Sequence, residues 1–299
     1  MKKNHTHLFR LIIVIGLGLS CFSFEQSSLE SAYENEIKAW HAQRIENLKK
    51  ESGWLNLAGL FWLEEGKNSF GTDASNQIVF PANKSKAFLG NLILEKGEVF
   101  VEALPDAAIF SNDTLVTKLK VYPSEKPVLL KHQSLRWFII KRGDKYGVRL
   151  RDLESPFLKA FTGIDTFPID PKWKVEGKLE TTIGKKIPIL DVLGQTTLQD
   201  SPGAVVFKID GKEYHLDAIE EGENLFIIYA DKTNKKETYG AGRFLYAAKP
   251  DANGIVYLDF NKSINPPCAF TPYATCPLPP KQNSLPIAIN AGEKNYGNH

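Results

Sequence analysis

The chain has 299 residues, 42% of them hydrophobic and 24% charged, with a formal net charge of +2. That length suits one large or two ordinary domains with well-buried cores, and two are expected. So small a charge excludes a nucleic-acid partner or a membrane surface held by bulk attraction.

Lys2, Lys3 and Arg10 precede an apolar run from Leu11 to Leu19, which is the pattern of an export signal over residues 1–20 and too short to span a bilayer comfortably. Leu19-Ser20-Cys21 follows, so Cys21 is the candidate lipidated first residue of a lipoprotein. Gly18 stands where that signal usually carries Leu, and cleavage elsewhere with no anchor is the alternative. Loss of the three positive charges of residues 1–20, which contain no acidic residue, takes the formal charge from +2 to −1. The expected location is the periplasm or cell envelope, with a lipid on Cys21 as the one membrane contact.

Ser27 and Glu30 have the spacing of a capping box, and Tyr33, Ile37, Trp40, Ile45 and Leu48 then recur at helical intervals. An amphipathic helix is expected within residues 22–52, ending near Gly53. His41 and Arg44 ride on it, either as part of its packed or solvated face or pointing into a site.

From residue 53 onward, short apolar runs alternate with Gly, Asn, Asp and Pro, so the chain reads as mainly β. Strands are expected at 54–62, 68–71, 77–80, 90–94, 99–103, 115–121, 135–141 and 147–151, giving a β-sandwich-like domain over residues 53–165. A second, β-barrel-like domain is expected over 166–299. Its strands fall at 173–179, 186–192, 203–209, 212–217, 225–230, 239–246 and 255–259, and a proline-rich C-terminal segment covers it. Seven of the 17 prolines lie between residues 266 and 286, which stiffens that segment and keeps it out of sheet interiors.

Asn68 to Pro81 resembles the third and fourth strands of forkhead-associated domains, β-sandwiches that read phosphothreonine. The Arg that follows the glycine in that family is Thr72 here, its downstream Ser and His are missing, and Asn112 is followed by Asp113. The resemblance therefore implies a sandwich but no phosphate clamp.

Several further motifs lie together in the C-terminal third. These are Glu237-Thr238-Tyr239-Gly240-Ala241-Gly242-Arg243-Phe244-Leu245, Leu258-Asp259-Phe260-Asn261, Asn265-Pro266-Pro267-Cys268-Ala269-Phe270-Thr271, Cys276-Pro277-Leu278-Pro279-Pro280 and Ala291-Gly292-Glu293-Lys294. They closely resemble a bacterial and archaeal family known as domain of unknown function 1684. Gly53-Trp54-Leu55, Gly59-Leu60-Phe61-Trp62-Leu63 and Arg149-Leu150-Arg151-Asp152 resemble its N-terminal half. The family implies no activity.

Arg243, Asp259 and Asn261 fall in or at the ends of apolar strands, where side chains converge on loop-covered pockets. With Tyr239 and Asn265 they are the candidate ligand-binding set. Arg243 suits a carboxylate or phosphate, and Gly240 and Gly242 allow close backbone approach. The competing assignment pairs Arg243 with Asp259 and lets Asn261 and Asn265 tie down the proline-rich loop.

For an exported chain, Cys268 and Cys276 are expected to form a disulfide. A reactive thiol lacks an activating base at an informative spacing, and two Cys without nearby His make an incomplete metal site, so no metal is expected. Arg149, Arg151 and Asp152 read either as a solvated strand edge or, if two domains pack together, as a cluster that faces Arg243 and lines an anion-accepting cleft.

Three functions compete. The first is an exported, envelope-located protein that binds a small anionic ligand in a pocket of the second domain, with Arg243 as the anchor. The second is a hydrolase with Asp259 or Glu293 as base beside Arg243. The third is an assembly module whose Trp54, Phe61 and Trp62 engage another protein. A flavin is compatible with a barrel of this size, but no residue requires one.

Overall fold

The computed structural model describes residues 30–297. The export signal, Cys21 and Ser27 lie outside the described residues. The protein is mainly β, with one N-terminal helix and several sheets.

Helix α1 occupies residues 30–49 and buries Ile37 and Leu48, eleven residues apart on one face, as the periodicity requires. The carbonyls at its C-terminal end do not go unmet. Asn56 Nδ2 donates to Lys50 O at 2.6 Å and Lys49 O at 3.3 Å, and Arg151 Nη1 donates to Glu51 O and Gly53 O just beyond.

The first β unit contains β1 (Leu57–Trp62), β2 (Gly66–Gly71), β3 (Ile78–Val79), β4 (Gly90–Glu95), β5 (Glu98–Ala103) and β6 (Phe110–Ser111). It continues with β7 (Thr114–Leu115), β8 (Lys118–Tyr122), β9 (Leu130–His132), β10 (Leu135–Arg142) and β11 (Lys145–Asp152). Two sheets form, in the orders β1-β11-β10-β9-β6-β7 and β3-β2-β4-β5-β8. Their inner faces share one core, with Phe70, Phe80 and Trp137 in mutual ring contact at 5.3–5.9 Å. Short helix α2 (Pro156–Ala160), capped by Ser155, leads out of this unit.

The second unit is built from β12 (Lys174–Thr181), β13 (Lys186–Leu190), β14 (Thr196–Asp200), β15 (Gly203–Ile209), β16 (Lys212–Glu221), β17 (Asn224–Tyr229), β18 (Arg243–Ala248) and β19 (Ile255–Asp259). Six of these strands form a nearly closed, barrel-like sheet in the order β18-β17-β16-β15-β12-β19, and β13 with β14 makes a separate hairpin.

Beyond β19 the described residues make no strand, and the chain crosses the barrel as a strap of 3-10 turns at Phe260–Lys262, Pro267–Ala269 and Lys281–Asn283. Leu285, Ile289 and Ala291 enter the barrel core, so burial fixes the strap. Asn283 substitutes for a missing sheet partner. Its Nδ2 donates to Asp217 O and Ile228 O, both at 2.9 Å, and its Oδ1 accepts from Asp217 N at 2.7 Å. β16 and β17 part at this point, and without that amide the two carbonyls would lose these partners.

Candidate functional site: a basic cleft between the β units

β11 is a central strand of its sheet and is buried on both faces. Alternation sends Val148 and Leu150 into the sandwich core and turns Arg149 and Arg151 the other way, toward α1 and the strap. A solvated strand edge is therefore not what Arg149 and Arg151 form. Both are buried, whereas Asp152 points back to Lys84 at 3.2 Å.

The two arginines meet different surroundings. Arg151 is consumed by the backbone carbonyls after α1. Arg149, only 5% exposed, has no carboxylate within ion-pair distance among the described residues. Its guanidinium lies over the Trp54 ring at 5.7 Å, Nη2 reaches Thr275 Oγ1 at 3.5 Å, and Nε has no partner. Burial, followed by the charges of Arg142 and Arg151, pushes Arg149 down to about 10. Such a site stores an unmet demand for negative charge.

Arg149 opens on a cavity of ≈ 440 Å³ between the sandwich and the barrel. Trp54 and Arg142 flank it on the sandwich side, and Phe226, Phe244 and Tyr246 on the barrel side. The strap segment around Asn265 and Ala274–Pro277 forms its wall. A neighbouring cavity of ≈ 490 Å³ shares Arg142, Glu221, Phe226, Thr275 and Pro277 with it.

Arg44 reaches the same cavity from α1. Its Nε meets Glu293 Oε1 at 3.2 Å, and its Nη2 donates to Asn265 O at 3.2 Å. Burial pushes the Glu293 carboxyl up, against the pull of Arg44 and the Asn265 amide at 2.6 Å. Glu293 thus braces Arg44 from behind and does not line the cleft.

The residues singled out in the C-terminal motifs have other surroundings. Arg243 is fully buried and pairs with Asp231 at 2.6 Å, not with Asp259. It also donates to Ile289 O at 2.8 Å and to Ala291 O, which pins the strap to β18. Gly242, at φ +98, gives close approach to Pro279 and Tyr229 O, since a Cβ there would sit 2.4 Å and 2.7 Å from them.

Asp259 accepts from Tyr33 Oη at 2.8 Å and faces Lys262 at 3.8 Å. Asn261 bonds Tyr33 Oη at 3.0 Å and both backbone groups of Asp170. These two residues therefore dock α1 to the end of β19. Asn265 borders the cleft, but Tyr239 lies in a separate apolar hollow with Cys268 and Phe270. Trp54, Phe61 and Trp62 are half-buried within the fold.

Cys268 and Cys276 are joined in a disulfide with their Cα atoms 6.1 Å apart. The loop it closes carries Thr275, the hydrogen-bond partner of Arg149.

Asp231, Arg142, Thr275 and Tyr246 were not marked by the sequence. The legible signal was narrower: two arginines alternating with the apolar Val148 and Leu150 in one strand.

Residues 159–294 match the family described as "Protein of unknown function (DUF1684)". Among solved structures, the solution NMR structure of an uncharacterised protein from Haloarcula marismortui is 31% identical over 46% of this chain and 78% of that one, with a TM-score of 0.38. Among curated proteins, none matches the chain.

Proposed function

The chain belongs to the DUF1684 family of proteins of unknown function, and for it we propose the role of a small-ligand-binding protein of the cell envelope that takes an anionic molecule into the cleft between its two β units. The observation that carries this reading is the Arg149 guanidinium, buried at the cleft wall without a carboxylate to neutralise it. Keeping an unpaired cation out of water costs folding free energy, and a ligand anion recovers that cost on binding. Arg142, at the mouth, adds positive potential, and Arg44 is already paired with Glu293. In this reading Arg243 serves the fold, and Arg149 takes the role of anchor.

Neither Asp259 nor Glu293 is aimed into the cleft, so no observation favours the hydrolase alternative.

A thermal-shift panel of organic carboxylates, sulfonates and phosphates on the full processed chain tests the reading. At least one anion raises Tm in proportion to the logarithm of its concentration, and Arg149→Met removes that rise. A panel in which neutral analogues stabilise as well as anions, or in which Arg149→Met responds like the wild type, refutes it.

A further inference from the structure

We infer that the ligand of this cleft is an aromatic monocarboxylate, held by its carboxylate on Arg149 and by its ring against the Phe226/Tyr246 shelf. The inference rests on the anion-binding reading above and adds both the charge and the body of the ligand.

The charge follows from what each cleft group has already spent. Arg44 is neutralised by Glu293. Arg142 and Arg149 have no acidic partner within ion-pair distance among the described residues, and of the residues lining the ≈ 440 Å³ cavity with both, Glu221 is the carboxylate. One positive charge is left over, and the buried one is Arg149. A single buried guanidinium matches a single carboxylate, whose planar pair of oxygens fits its fork of N–H donors. A phosphate monoester would bring a second negative charge with no buried cation to meet it.

The body follows from the opposite wall. The rings of Phe226 and Tyr246 are stacked, with centroids 4.8 Å apart and planes at 19°. Phe244 meets Phe226 edge-on, at 4.9 Å and 89°. Tyr246 is 43% exposed, so the stack ends in an uncovered aromatic surface bordering the cavity. Stacking continues most favourably with another flat ring. Trp54, lying over Arg149, closes the charged end with a further apolar face. A volume of ≈ 440 Å³ accommodates a molecule of one to three rings.

Isothermal titration of the full processed chain with four probes tests this: 2-naphthoate, the neutral 2-naphthamide, the saturated decahydro-2-naphthoate and 2-naphthyl phosphate. The expected result is that 2-naphthoate binds at least about tenfold more tightly than each of the others. Tyr246→Ala should erase the preference over the saturated acid, whereas Arg149→Met should erase the preference over the amide. Tighter binding of the phosphate, or equal binding of the saturated acid, overturns the ligand class but leaves the anion site standing. Equal binding of the amide, or acid binding that survives Arg149→Met, overturns the anion site itself. If none of the four binds, the inferred class is wrong, and the broader anion panel decides the site separately.

Discussion

Arg243 and Asp231 face each other at 2.6 Å with neither side chain exposed to solvent. The pair lies under the strap, and Arg243 also holds the carbonyl of Ile289. Removing one partner leaves a buried, uncompensated charge, so Arg243→Met should lower unfolding free energy by about 3–5 kcal/mol. Urea denaturation measures the loss. A change below about 1 kcal/mol would show that the pair contributes little to holding the strap.

Arg149→Met should behave in the opposite way. Its charge is desolvated with no carboxylate partner among the described residues, so the substitution is expected to leave apo stability unchanged or to raise it, while anion-dependent stabilisation disappears. The same denaturation series compares the two arginines directly. A loss as large as that of Arg243→Met would mark Arg149 as a structural residue.

The strap depends on the Asn283 amide, which bridges Asp217 and Ile228 where β16 and β17 part. Asn283→Ala exposes those buried backbone groups and should cost at least about 2 kcal/mol. Limited proteolysis should then cut within residues 261–294, a region expected to resist cleavage in the wild type. Unchanged resistance would mean that the apolar contacts of Leu285, Ile289 and Ala291 suffice.

Cys268 and Cys276 should be recovered unalkylated from unreduced protein and alkylated after reduction, as intact mass will record. The double substitution to Ala should lower stability by about 2–3 kcal/mol through the freed loop. It should also weaken anion binding, because Thr275 lies within that loop. Two free thiols in envelope-derived protein would contradict the first expectation.

Burial, partly opposed by the Asn261 backbone and Asp259, holds His41 below its ordinary value of 6.5. Between that value and the lowered one, the unfolded chain binds the extra proton. The His41 contribution to stability is therefore intact above about pH 6.5 and declines as pH falls below it. Melting temperature should drop from pH 7 to pH 5, and His41→Gln should flatten that slope. An unaltered slope would assign the acid response to other groups.

The local pattern of the chain already determined its β character, the helix with Ile37 and Leu48 on one face, most strand positions, and the docking of a proline-rich segment too apolar to stay in water. Periodicity reports which residues need burial, and those needs were met. The short strands β6 and β9 escaped notice because two or three residues carry no period, β7 was merged with β8 into the one strand expected at 115–121, and β14 was missed because its residues are largely exposed. The roles of the charged residues were a tertiary matter. Arg243 and Arg149 both sit in strands among apolar neighbours, so their sequence contexts are alike. Asp231 lies twelve residues from Arg243, just past the β17 residue Tyr229 that pairs with it, whereas among the described residues nothing acidic folds up against Arg149. Whether a buried cation is neutralised depends on which distant residue arrives beside it, and chain crossing, not local propensity, sets that.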